Sequence, residues 1–268
     1  MDQISNHQIE TLEHLNQLKD DFLSTVSHEL RSPMTNIKMA TQMLKLLLQQ
    51  DQNNGNGNTP SFVNREKQRI FQAKVDHYLL ILEQECDRET DLLNTFLDLQ
   101  QLDAGNYCLS QTTVHLQESL PYLVKPFLNR IEKQQQTLQL EIAANLPVLK
   151  VDQTNLDRIL TELLLNACKF TPTGGAIAVS LCCKSISIDS PKMLQLEVTN
   201  SGVEIPVSEC DRIFERFYRI PNGDRWNCNG IGLGLTLVKK LVEYLGGLIW
   251  VESSDGKTCF TVEIPIDG

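Results

Sequence analysis

Residues 21–48 read DFLSTVSHELRSPMTNIKMATQMLKLLL. At ~100° per residue on a helix, Phe22, Val26 and Leu30 fall close to one line, whereas His28 points almost directly away from Val26 and Leu30. Ser24, Arg31, Ser32 and Thr35 lie on the same outward side, so a polar stripe is centred on an imidazole with nothing apolar around it. By itself an outward helix histidine is most simply a surface residue. Pro33 complicates that reading: it removes the hydrogen bond to the carbonyl of Glu29 and should bend the helix, a cost that a plain surface helix has no need of.

Working outward, the apolar residues Ile9, Leu12, Leu15, Phe22, Val26, Leu30 and Ile37 recur at helical steps and run into Met43, Leu44, Leu47 and Leu48, which predicts one long amphipathic helix. Gln49–Pro60, QQDQNNGNGNTP, is too polar to offset the cost of ordering it and reads as a flexible connector. A second stripe follows, Phe71, Val75, Tyr78, Leu79, Leu82, Cys86, Leu93, Phe96, Leu97 and Leu99, ending near Leu102. Two long helices joined by a loop form a hairpin. Its apolar seam is half exposed, so the expected remedy is a homodimer in which two hairpins make a four-helix bundle; the alternative is that the seam packs against the second domain of the same chain. The turns in 1–18 carry the same periodicity and would continue a coiled-coil input from a separate sensory protein or domain.

Asp103, Ala104, Gly105 and Asn106 break the second helix, and strand and helix signals then alternate. Helices are expected at Gln117–Lys133, Thr154–Cys168 and Leu235–Leu245. Strands are expected at Leu138–Ile142, Val148–Val151, Ala176–Leu181, Leu194–Thr199, Leu248–Glu252 and Thr258–Ile264. The expected organisation is a helical lead-in over 1–18, a helical domain over 19–105 and a domain of helices on a largely antiparallel sheet over 106–268.

At 268 residues the chain has room for about two domains. Its 41% hydrophobic and 22% charged residues are ordinary for a globular protein. A formal net charge of −10, with no cluster of Lys and Arg, excludes nucleic acid and anionic membrane as natural partners. No run approaches the ~18 apolar residues of a membrane span, and MDQISNHQIE is no signal peptide, so the expected compartment is the cytoplasm. The eight cysteines show no metal-like spacing and read as reduced, mostly buried small hydrophobes.

Three stretches of the second domain carry chemistry. In ELLLNACKF, Glu162, Asn166 and Lys169 share one helix face while Leu156, Ile159, Leu160, Leu163, Leu164 and Ala167 form the opposite one; an amide and an ammonium on one stripe could hold a metal ion and a phosphate, or could be a solvated face. Phe214 and Phe217, flanked by Arg212, Arg216 and Arg219 and followed by Pro, Asn, Gly and Asp, suit either a core or a lid hinge. Gly230, Gly232 and Gly234 run directly into a helix, where glycine lets a backbone approach a phosphate and free amides favour an anion, although a glycine triplet can also be a tight turn.

SHELRSPMTNI resembles the H box of sensor histidine kinases, TELLLNACKFTPTGG their N box, Arg212–Arg219 their F box, and GIGLGL with the segment through Pro265 their G2 box and closing strands. VTNSGVEIP stands in place of the Asp-x-Gly-x-Gly of the G1 box and departs from it twice, with Asn200 for the aspartate and Glu204 for the second glycine; Gly202 is kept. The resemblance implies an α+β chain, a helical-hairpin dimerisation domain followed by an α/β sandwich that binds ATP with Mg²⁺. It implies that His28 accepts the phosphoryl group, with Glu29 taking its proton, and that a response-regulator receiver domain is the partner. By the same resemblance Asn166 ligates Mg²⁺ and Lys169 helps with the phosphates. Phe170 lies near the base, and Asn200 and Gly202 form the adenine end. Phe217 suits a lid hinge and Arg219 the phosphates, Gly230, Gly232 and Gly234 line the phosphates, and Thr258 sits at the nucleotide's edge. Ser32 stands where related kinases that act as phosphatases use Thr or Asn, and the altered G1 box leaves a pseudokinase scaffold open. A chaperone- or topoisomerase-type ATPase would share the nucleotide fold without explaining SHELRSP.

Overall fold

The structure, a computed structural model, describes residues 27, 30–49, 61–105, 107, 109–144, 146–184, 192–221 and 231–266. The expectations for residues 1–18, His28, Glu29, the connector and Gly230 lie outside the described residues. The chain divides into two compact units, Met1–Asn94 and Thr95–Gly268.

In the first unit α1, over 30–49, runs alongside α2, Ser61–Asp103. Phe71, Val75, Tyr78, Leu82, Glu85, Glu89 and Leu92 are half-buried at alternating steps of three and four, so one stripe of α2 is covered. Asn36 of α1 donates from Nδ2 to Glu85 Oε1 of α2 at 2.7 Å, and Ala40 is buried. Met43, Leu46 and Leu47 line an open groove with Ile70, Ala73, His77 and Tyr78. Apolar residues outside this groove stay bare: Met39, Leu79, Leu80 and Leu93 are exposed, although Leu79 and Leu93 belong to the stripe predicted from sequence. The stripe is wider than one helix can cover, so a single hairpin buries only part of it.

The second unit holds a five-stranded sheet in the order β2-β4-β5-β7-β6, formed by β2 Thr137–Ile142, β4 Ala176–Lys184, β5 Lys192–Ser201, β6 Leu248–Ser254 and β7 Lys257–Ile266. Only β2 and β4 pair in parallel. A short ribbon joins β1 Thr112–Val114 to β3 Leu149–Val151; β1 is too short for a periodic signal and was not anticipated. Along β5, Leu194, Leu196, Val198 and Asn200 are buried on alternate positions and so share one face. The buried residues Ile159, Leu163 and Leu164 of α5, Gln153–Phe170, and Leu237, Val238 and Leu241 of α6, Gly234–Tyr244, supply the helical half of this core.

α5 is fixed at both ends. Asp152 caps it, accepting from the Asn155 amide at 3.0 Å and from the Ser110 amide at 2.7 Å. At the other end Gln136 Nε2 donates to the Cys168 and Thr171 carbonyls at 3.2 and 2.7 Å, satisfying acceptors that the helix leaves open. The single helix expected over Gln117–Lys133 is instead α3, Leu116–Val124, a 3₁₀ turn over Lys125–Phe127, and α4, Leu128–Lys133. Pro126 lacks the amide that an unbroken helix would use there. The last turns of α2 count with the second compact unit, where Leu99 is buried and the Thr95 hydroxyl accepts from Arg158 at 2.6 Å. Asp103 bonds Arg216 and lies 3.6 Å from Lys240. Among the cysteines, Cys168 is buried as expected and Cys86 is exposed.

Leu163 has no exposed surface. Leu163→Ala is expected to destabilise the chain by about 2–5 kcal/mol, read as a lower denaturation midpoint at unchanged slope; a loss below about 1 kcal/mol would show that α5 does not carry the core.

Candidate functional site

The site is built on the ends of α5, α6, β5 and β7. α6 opens on Gly234, and its N-cap residue, Leu233, offers the amides of the first turn no side-chain cap, an arrangement suited to an anion. A Cβ on Gly234 would stand 2.6 Å from Glu162 Oε2, so the start of α6 is pressed against the carboxylate on α5. Glu162 is held in turn by Arg158 at 3.1 Å. Gly232 has φ +76°, and a Cβ there would meet the Tyr218 carbonyl at 2.7 Å. Its own carbonyl accepts from the Phe217 amide at 3.1 Å. The glycine segment and the aromatic segment thus meet backbone to backbone, which a side chain would prevent.

Phe217 itself lies at φ +62°, a conformation a bulky residue adopts only when its surroundings impose it. Phe214 is buried edge-on against Phe260 at 6.3 Å and is a core residue rather than a hinge. The Tyr218 hydroxyl donates to Glu209, which raises its pKa above the usual phenol value, and the Arg212 guanidinium lies 4.1 Å over its ring. Arg219 is exposed.

At the other end Asn200 closes β5, only 4% exposed, in register with Ile177 on β4 and Thr258 on β7. Its place on the face shared by Leu194, Leu196 and Val198 turns it toward the helical layer. Thr258, buried, donates to the Val203 carbonyl at 2.7 Å and lies 2.8 Å from Ser253 Oγ. Gly202 has φ +96°, and a Cβ on it would fall 2.5 Å from the Pro172 ring, so the segment after β5 lies against the segment after α5. Asn166 and Lys169 are half-buried on the last turns of α5, with Lys169 Nζ 4.8 Å from the centre of the Phe170 ring.

The structure therefore brings together two groups of the sequence-predicted residues: Phe217 with Gly232, and Asn200 and Gly202 with Thr258. Lys169 and Phe170 form a third pair. Sequence reasoning missed Ser253 and Pro172. Ser253 faces Thr258 only through the register of β6 and β7, and nothing local in the sequence marks it.

Residues 18–105 match the family model described as the His kinase A (phospho-acceptor) domain, and residues 151–268 that of the histidine kinase-, DNA gyrase B- and HSP90-like ATPase. The sensor histidine kinase WalK of Bacillus subtilis is 25% identical over 94% of this chain and 38% of its own length. A circadian input-output histidine kinase, CikA, from Synechocystis is 32% identical over 93% of this chain and 31% of its own length. The chain thus spans well under half of these relatives. The structure of the histidine kinase AdeS from Acinetobacter baumannii, 18% identical, superposes with a TM-score of 0.57 over 90% of this chain and 98% of that one, a likeness of fold.

Asn200→Asp tests the base end. A charged acceptor contributes about 1 kcal/mol more than an amide, so the substitution is expected to tighten ATP about five- to tenfold. Discrimination against GTP should sharpen, because the amide's NH₂ suits the guanine O6 and a carboxylate repels it. Titration of both nucleotides on both proteins decides this; unchanged affinities would remove Asn200 from the base site.

Proposed function

Because the chain belongs to the histidine kinases, with their phosphoacceptor domain followed by their ATPase-type domain, we propose that it transfers the γ-phosphoryl group of ATP to His28 and then to an aspartate of a response-regulator receiver domain. The observation that carries this reading is the start of α6: its N-cap Leu233 gives no side-chain cap, and it follows Gly232, where a Cβ would meet the backbone of Tyr218 and Phe217. Such a helix end receives phosphate groups. Asn200, buried at the end of β5, supports the adenine at the other end of the site.

In this mechanism an imidazole nitrogen of His28 attacks the γ-phosphorus, the bond to the β–γ bridging oxygen breaks, and ADP leaves. Glu29 accepts the imidazole proton. Catalysis rests on positioning and charge neutralisation, since the transferring group needs little covalent help. Gly230, Gly232 and Gly234 line the phosphates, Lys169 and Arg219 offset their charge, Phe170 and Phe217 border the nucleotide, and Gly202 and Thr258 shape the base end. Among the described residues no group of three His, Cys, Asp or Glu side chains could hold a metal. Asn166, half-buried on the last turns of α5, offers an amide oxygen of the kind a hard cation takes and would hold a magnesium ion. When bound, that ion would neutralise phosphate charge.

The bare apolar face with Met39, Leu79, Leu80 and Leu93 supports a homodimer in which a second hairpin completes a four-helix bundle. Residues 1–18 would carry input into 19–105, with 106–268 as the catalytic domain. No described helix is long and apolar enough to cross a membrane, and a need for ATP places the action in the cytoplasm.

His28→Gln is expected to leave ATP binding intact and abolish an acid-labile, alkali-stable phosphoryl label from Mg·ATP; phosphohistidine persisting in this variant would refute the assignment. Asn166→Ala is expected to remove the Mg²⁺ dependence of ATP binding, since the lost ligand leaves phosphate charge poorly neutralised. Calorimetric titration with and without Mg²⁺ reads this directly, and an undiminished dependence would return Asn166 to a solvated helix face.

A further inference from the structure

We propose that Glu204 is a positioning residue for the nucleotide: it fastens the segment after β5 to the β6–β7 turn and so holds the base end of the site in a preset form. The turn is built on Asp255 at φ +53° and Gly256 at φ +71°, the left-handed pair of a tight hairpin. Gly256 is gripped on both of its backbone groups. Its amide donates to the Glu204 carboxylate, and its carbonyl accepts from the Gly202 amide at 2.6 Å.

The neighbours are stitched to the same hairpin. The Val203 carbonyl accepts from the Thr258 hydroxyl at 2.7 Å, and the Ile205 amide donates to Ser253 Oγ at 2.8 Å. Ser253 Oγ in turn donates to the Lys257 carbonyl at 3.1 Å. Residues 203–206 have no regular secondary structure, so these bonds are what orders them. Glu204 is the exposed stitch, and it stands where the resembled box has a glycine. A glycine would supply neither the acceptor nor the restriction of backbone freedom. The two departures in this box are then linked: Asn200 offers the base a neutral acceptor, and Glu204 lowers the entropy lost when the site closes on it.

This inference rests on the nucleotide-binding reading above, and the experiment separates the two. ATP affinity and the autophosphorylation rate at saturating ATP are measured on the full chain for wild type, Glu204→Gly and Glu204→Gln, with hydrogen exchange at the Gly256 amide. Glu204→Gly should raise the ATP Kd about fivefold with the saturated rate unchanged, and should lose protection at Gly256. Glu204→Gln keeps an acceptor oxygen and should hold both the affinity and the protection. An unchanged Kd in Glu204→Gly overturns the inference alone, as does a Glu204→Gln variant as weak as the glycine variant. A wild-type chain that binds no ATP overturns the reading of the site and this inference with it.

Discussion

The close approach of the glycine segment to its neighbours is the constraint on which the second unit depends. Gly234 stands where a side chain would strike Glu162, and Gly232 where one would strike the backbone of Tyr218. The approach at Gly232 sets the start of α6 against the backbone of Phe217 and Tyr218, and α6 in turn sets its apolar face, with Leu237, Val238 and Leu241, into the core. Packing of this density transmits small displacements, because a core close to crystalline density has little slack to absorb them. The same contacts that shape the start of α6 thus also bear on how the helices cover the sheet.

Both ends of the site are held by backbone groups more than by side chains. Phe217 meets Gly232 through an amide and a carbonyl, and Gly202 meets Gly256 in the same way. Such contacts tolerate changes of side chain at neighbouring positions. The side chains that do matter are small or buried: Asn200 and Thr258 at adjacent register positions on β5 and β7, and the half-buried amide and ammonium of Asn166 and Lys169 on one face of α5.

Long periodic segments were legible in the sequence because burial on one face imposes a repeat: α2, α5, α6, β5 and β7 all fall within a few residues of where their patterns put them. Failures occurred where a repeat is absent or runs on past a break in the backbone. β1 is too short to show one, and Pro126 divides a helix whose apolar pattern continues through it. In the site, Asn166, Lys169 and the glycines could be located from local spacing. Ser253 and Pro172 could not, since they reach the site through strand register and through the return of the chain after α5. Leu79 and Leu93 were legible as apolar but not as exposed, because a stripe does not say how many neighbours cover it.

The hydrogen bond from Phe217 to Gly232 also has a meaning in terms of chain length. It ties two points of the backbone that are distant in sequence, and making such a tie is the closing of a chain loop. Closing such a loop becomes harder only logarithmically, by about 0.6 kcal/mol for each doubling of its length. The tie between Phe217 and Gly232 is therefore made at a cost that depends little on the number of residues between them.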